Sequence, residues 1–496
     1  MKRRTFVTRG LAVLTAAALP GARLLAAGTA IDILGLDGRQ LTLKPADLDD
    51  LRAGFKGELL TAGDGGYDGA RRLWNAAFDR HPALIARCAS AADVQHAVSF
   101  ASAHALLTAV RGGGHSLSGQ SGCDKGLVID VSQMREVRID KAARQAHVQA
   151  GSLLGAVDKA AQAAGMATVL GTVNDTGVAG LTLGGGQGRL SRKRGLTVDN
   201  LLALEVVTAD GRALRASAAD NPDLYWALRG GGGNFGVVTA FTYRLHPITP
   251  QLYGGTLTYA YQDAPTARGL LRGYAEIMGH APDELGADVA LAVDRETQQR
   301  IVEFDVCYCG PLADAERVVA PLRKLGKPLK DDLGQAPYTK LQGSDDPPAP
   351  PGIAAYVKGG LVYGLTPALI DAAIDYIEAH PAHNFEIEFG ANGGAVARVA
   401  PTATAYFGRG ASHTMLAFAF WKVPGDGAEA STAWVRGAWK ELEPHSRGNY
   451  VNLASADDRE TRVHDAYGDN YARLASLKKR YDPANLFHLN ANIKPA

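Results

Sequence analysis

Cysteine is scarce, with only 4 among 496 residues. A disulfide-dense scaffold needs many more. Cys307 and Cys309 stand one residue apart on a strand-like run, a spacing that suits neither a CxxC redox pair nor a zinc knuckle, so no metal site is expected. The four read as small buried hydrophobes, with a Cys88–Cys123 disulfide left open as an alternative. An excess of one charge is also missing: 52 Lys and Arg face 51 Asp and Glu. A nucleic-acid partner needs surplus cations to neutralise phosphates and is therefore disfavoured. Beyond the N-terminal segment no run reaches the eighteen or so apolar residues of a membrane span. With 46% hydrophobic and 21% charged residues, disorder, collagen and coiled coil are excluded, and the length suggests about three cores.

What the chain has in surplus is glycine, 58 copies, or about 12% against a usual share of about 7%. They cluster at Gly112 to Gly114, Gly184 to Gly188 and Gly230 to Gly233, where backbone must come close to something. The charge is also uneven. Lys2, Arg3, Arg4, Arg9 and Arg23 fall in the first thirty residues with no acid, and the remainder holds 47 cations against 51 acids. Lys2-Arg3-Arg4-Thr5-Phe6, a weakly apolar run from Leu11 to Leu19, Pro20 and small residues up to Ala30 read as a Tat export signal over residues 1–30, cleaved after Gly28 or Ala30. The expected location is periplasmic or secreted, with the Tat translocase as a transient partner. Because Tat carries folded proteins, the leader hints at a cofactor loaded before export.

Hydrophobic periodicity predicts an α+β chain. A helix is expected over 47–60 and strands over 127–131 and 146–150, then a helix over 153–164 and a strand over 204–208. Asn221 is expected to cap a helix with Pro222 at its first turn, stopped by Gly230, before a strand over 237–245. Helices are also expected over 367–379 and in the tail, where Tyr467, Tyr471, Leu474, Leu477 and Tyr481 form one stripe. Gly231-Gly-Gly-Asn-Phe-Gly236 matches GxGxxG. The Rossmann turn, however, follows a strand and opens a helix, and here the order is reversed, which disfavours NAD(P). Arg111-Gly-Gly-Gly-His115-Ser116 reads as a nest of backbone N–H groups with a histidine at its end.

These pieces, with Gly171-Thr-Val-Asn-Asp-Thr-Gly-Val-Ala-Gly180, Gly184-Gly-Gly-Gln-Gly188, Tyr450-Val-Asn452 and Tyr481-Asp-Pro-Ala-Asn-Leu-Phe487 with Asn490, resemble in order the berberine bridge enzyme-like family of FAD-linked oxidoreductases, of the vanillyl-alcohol oxidase (PCMH-type) superfamily. The resemblance spans about residues 70 to 496. It implies a two-subdomain FAD-binding fold over 70–248, an inserted α/β substrate-binding domain over 249–444 that covers the flavin, and a C-terminal segment, 445–496, that completes the FAD site.

It also implies FAD held covalently by His115 through the 8α-methyl. Further contacts are expected from Arg111, Gly112, Gly113, Gly114, Ser116, Gly119, Gly171, Thr172, Thr176, Gly177, Gly180, Gly184, Gly186, Gly233, Phe235, Gly236, Val238, Tyr450, Asn452 and Asn490. Many relatives add a cysteinyl tether at the position of Val173, which valine cannot form, so a single link is expected. Gln187 stands where plant relatives carry an active-site tyrosine, and Leu181 where many carry a histidine. Tyr450 matches a proposed base, although a phenol of ordinary pKa near 10 is a poor one unless cations lower it. Tyr338, Tyr356, Tyr406, His413 and Trp421 are candidates for the substrate pocket.

The implied reaction passes hydride from a substrate carbon to N5 of FAD, with dioxygen then reduced to hydrogen peroxide. A sugar or secondary alcohol is the first substrate class and a cyclic amine the second. A dehydrogenase using another acceptor, with Thr176 near the oxygen-access side, and a carrier that keeps FAD as a structural element are the alternatives.

Overall fold

The computed structural model describes residues 30–294, 296–343, 352–425, 427–458 and 462–496. The expected export signal lies almost wholly outside them. Two sheet systems face each other across a cavity.

The first holds the glycine-rich half. Strands Leu84–Arg87 and Thr108–Arg111 pair in parallel with Leu127–Asp130, and Glu58–Leu60 completes a four-stranded sheet. Beside it lies a five-stranded antiparallel sheet in the order Ala213–Ser217, Leu201–Val207, Val237–Arg244, Gln145–Gln149, Val137–Asp140. Helix Ala91–Ala103 packs between the two sheets, burying Val94, Ala97, Val98 and Ala101. It is started by a capping box in which Ser90 accepts from the Asp93 N–H and Asp93 accepts from the Ser90 N–H. The same core takes in Ile33, Leu43, Leu48 and Leu51 from the N-terminal side and Leu474, Leu477, Tyr481 and Phe487 from the tail. This unit therefore draws on residues well before 70.

The second system is an eight-stranded antiparallel sheet. Its path runs Lys330–Asp331, Leu252–Ala260, Arg300–Tyr308, Leu285–Val293, Phe385–Ala391, His413–Lys422, Ile353–Val362, with Gly334–Ala336 also on Leu252–Ala260. Alternation divides each strand. Leu285, Ala287, Val289 and Leu291 are buried in a second core with helices Ala264–Gly279, Pro367–Ala379 and Ala428–Leu442, while Gly286 and Asp288 face the cavity.

Most expected elements are present, with differences at three places. The helix expected over 47–60 ends at Arg52. Gly57 lies so close to the Arg87 carbonyl that a Cβ would collide with it, and the chain turns into the strand Glu58–Leu60. Asn221 does not cap by its side chain: it adopts a left-handed conformation (φ 47°) and its amide donates to the Arg215 carbonyl, while Pro222 does open the helix Pro222–Ala227. Tyr467 ends a separate short helix, Val463–Tyr467, and the tail helix is Tyr471–Tyr481. All four cysteines are free thiols, and burial pushes Cys123 up to about 12 and Cys309 to about 11.

Candidate active site

A cavity of about 550 Å³ lies between the glycine loops and the open face of the eight-stranded sheet. Its floor follows from local sequence. Strand Thr108–Arg111 runs out into Gly112 to Gly114, and Gly113 crosses Gly177 so closely that a Cβ on Gly113 would sit 2.5 Å from the Gly177 Cα. Only two glycines permit that crossing. Gly180 and Gly233 also line the cavity, and a Cβ on either would meet nothing within 4 Å, so these positions open directly onto empty space. The Gly231 to Gly236 turn follows a helix and precedes the strand Val237–Arg244, the reverse of the Rossmann order. It is held from the tail, where Asn234 donates to the Ala491 carbonyl and accepts from the Ile493 N–H. Lys478, in a fully buried ion pair with Asp482 at 2.6 Å, also donates to the Asn234 carbonyl at 2.8 Å.

His115 sits on the cavity wall with its ring stacked on Trp74, centroids 4.3 Å apart. The Trp74 N–H donates to the Gly114 carbonyl. Asn75, fully buried, donates to the carbonyls of Leu117 and Ala355 and accepts from the Ala355 N–H, clamping this loop to the edge strand of the facing sheet. The buried Nε2 of His115 lies 3.3 Å from Asp175 Oδ1, close enough for charge attraction though not aligned as a hydrogen bond. That proximity to His115 holds the Asp175 carboxyl below its usual range.

Tyr450 accepts from the Gly186 N–H at 3.0 Å and from Asn452 Nδ2 at 2.8 Å. Burial pushes its phenol up to about 12, against the pull of these bonds. At neutral pH it is therefore a neutral phenol whose own hydrogen is left to donate, and not a proton acceptor. Gln187 is fixed at both ends of its amide: Nε2 donates to Tyr406 Oη at 3.2 Å, and Oε1 accepts from Thr414, which itself accepts from Asn392.

Of the expected flavin contacts, Gly112 to Gly114, His115, Ser116, Gly171, Thr172, Thr176, Gly177, Gly180, Gly184, Gly233, Tyr450, Asn452 and Asn490 line the cavity, as does Gln187. Six do not. Phe235 and Val238 are buried in the core, because the strand after the turn runs straight into it. Gly236 (φ 151°) packs on the Val207 carbonyl, Gly186 (φ 79°) on Thr197 and Gly119 (φ 72°) on the Phe78 ring. Arg111 sits behind Gly114, with Nε and Nη1 buried and unpartnered. None of Tyr338, Tyr356, Tyr406, His413 and Trp421 reaches the cavity wall. On strand His413–Lys422 the cavity-facing positions are Thr414, Leu416, Phe418 and Phe420, which turns His413 and Trp421 away. His413 contacts Tyr274 instead, and burial pushes it down to about 3.

The roof carries charge that no sequence motif announces. Asp288, Asp305 and Glu388 line it, with Arg189 and Arg192 below. Asp288 and Asp305 are register partners on adjacent strands, Arg189 pairs with Asp305, and Asp288 accepts from the Ala391 N–H at 2.6 Å. Arg192 donates to the carbonyls of Asn392 and Ala281, and burial lowers its pKa. A signal was present: acids at alternate positions on strands otherwise rich in apolar residues mark one face as polar.

Comparison with known proteins agrees with this geometry. The chain matches an FAD binding domain model over residues 82–217 and a berberine and berberine like model over 449–494. It is 32% identical over 460 residues to (R)-6-hydroxynicotine oxidase of Paenarthrobacter nicotinovorans, covering 89% of this chain and 97% of that one. The crystal structure of 6-hydroxy-D-nicotine oxidase from Arthrobacter nicotinovorans superposes with a TM-score of 0.83 at 30% identity, covering 89% and 98%. A chitooligosaccharide oxidase, 23% identical, shares the fold with a TM-score of 0.82 over 91% of this chain and all of that one.

Proposed function

The chain belongs to the berberine bridge enzyme-like family of FAD-linked oxidoreductases, and from that premise we propose that it oxidises a small amine at the carbon beside its nitrogen, with FAD attached through His115 alone and dioxygen as electron acceptor. The residues present suit FAD. Gly180 and Gly233 leave space that any Cβ would fill, and the Asn490 Oδ1 on the cavity wall is buried without a partner. Bound there, FAD would supply acceptance of an electron pair and its transfer to dioxygen, giving hydrogen peroxide.

The observation that carries the amine reading is the roof, where three carboxylates face two guanidiniums. The net negative charge favours a cation. A roof carboxylate that takes the ammonium proton leaves the nitrogen lone pair free, which makes the neighbouring carbon the electron-rich one. Tyr450 and Gln187 orient the substrate as hydrogen-bond donors. The similarity to an oxidase whose name is that of an amine supports the same choice. The second reading, oxidation of an alcohol or sugar, draws support from the uncharged Gln187, Thr414 and Tyr450 groups. The leader at Lys2-Arg3-Arg4 supports a periplasmic or secreted location.

The test is a panel of amines and alcohols read by peroxide release. Turnover of amines alone supports the first reading, and turnover of alcohols alone removes it. Acid precipitation of the protein and of His115→Ala tests attachment: yellow colour retained by the former and washed out of the latter is the expected pair.

A further inference from the structure

We propose that Asp175 readies His115 for its bond to FAD, facing the imidazole at Nε2 and taking up that nitrogen's proton while Nδ1 forms the bond. The inference rests on the reading of His115 as the attachment point. Its ground is geometric. His115 is a residue of the cavity wall whose buried Nε2 lies 3.3 Å from Asp175 Oδ1, which leaves Nδ1 as the nitrogen to form the bond. Trp74 fixes the ring from one face at 4.3 Å, and Asn75 ties the same loop to Ala355. The ring has little freedom to present its other nitrogen. Asp175 comes two residues after Val173, on a loop whose wall residues Val173 and Thr176 border the same cavity. The segment that lacks a thiol for a second tether thus contributes a carboxylate to the first.

The chemistry requires such a group. A neutral imidazole bonding through one nitrogen while the other keeps its hydrogen becomes a cation. A carboxylate beside that hydrogen stabilises the cation and then accepts the proton. The Asp175 side chain is 48% exposed, so the proton can pass on to water. The balance closes. One N–C bond forms, one methyl hydrogen and one imidazole hydrogen leave as protons, and the electron pair passes through the flavin to dioxygen, which yields hydrogen peroxide. Proximity to His115 keeps the Asp175 carboxyl ionised over the working range, as this role demands.

The experiment uses the full chain produced under riboflavin limitation, then supplied with FAD in air. Total bound FAD is read by absorbance, and covalent FAD by fluorescence of the acid-precipitated protein over time. Asp175→Asn is expected to bind FAD as the unaltered chain does but to attach it at least about tenfold more slowly, in line with the usual contribution of a positioned acid–base group. Asp175→Glu is expected to recover part of the rate, which a role in shape alone would not give. The proposal is overturned if Asp175→Asn attaches FAD at the original rate, if Asp175→Glu is as slow as Asp175→Asn, or if Asp175→Asn simply fails to hold FAD. A separate outcome, an unaltered chain that never attaches FAD, removes the His115 reading itself.

Discussion

The floor and the roof of the cavity confront the same space with different materials. The floor is backbone: Gly112 to Gly114, Gly177, Gly180 and Gly233 bring main chain to the surface, and few side chains intervene. The roof is side chain: strands carry Asp288, Asp305, Glu388, Thr414, Leu416 and Phe418 outward from a regular sheet. A backbone wall tolerates almost no change, since any added atom fills the space it exists to leave. A side-chain wall can be rewritten residue by residue without disturbing the sheet. On the proposed reading, the floor sets which cofactor fits and the roof which substrate.

The strongest way to break that division is to alter each wall in turn and read both properties. Gly113→Val should abolish FAD binding, leaving flavin absorbance below about a tenth of the original, because the side chain would enter the Gly177 backbone. Normal flavin content would refute the backbone account of the floor. Glu388→Gln and Asp288→Asn should keep FAD content and lower kcat/KM for amines by about 10²- to 10⁴-fold, the usual range for lost proton transfer. A parallel loss of flavin would show that the walls are not separable.

Tyr450→Phe should have a smaller effect, about tenfold in kcat, with the pH profile between 6 and 9 unmoved, since a phenol raised to about 12 does not titrate there. A profile limb that disappears with the hydroxyl would restore the tyrosine as base. The smallest effect concerns the joint between the walls, where Gln342 donates to Asp158 and to the Gly171 carbonyl, both at 3.0 Å. Burial raises Asp158 from 3.8 to about 7, so the folded state prefers it protonated. Stability is therefore lost as pH rises from about 4 through 7, and the penalty is complete above that. Asp158→Asn is free of it and should gain on the unaltered chain by a few degrees in Tm, roughly, between pH 5 and pH 8. Thermal melts at the two pH values check the sign.

The floor was largely legible because its signals are local. A glycine run ending in His115, and a GxGxxG placed after a helix, state their geometry within a few residues. The roof was not, because its site is made by register. Asp288 and Asp305 are 17 positions apart in sequence and become neighbours only through strand pairing, while Glu388 joins them from a third strand. Read singly, each acid resembles an ordinary solvent-facing residue of a strand. His413 and Trp421, expected in the pocket, failed for the same reason, since one step of strand parity sends them to the helix side. Asp175 lay inside a motif already singled out, but only the fold shows that it faces His115.

The ties from Asn75 to Ala355 and from Asn234 to Ile493 span 280 and 259 positions of the chain. Neither contact can form until its later partner, Ala355 or Ile493, has been made. The Gly231 to Gly236 turn must therefore wait, unclosed, until Ala491 and Ile493 have left the ribosome. Cofactor capture should then follow the making of that segment, and a chain cut before Ala491 should accumulate without flavin.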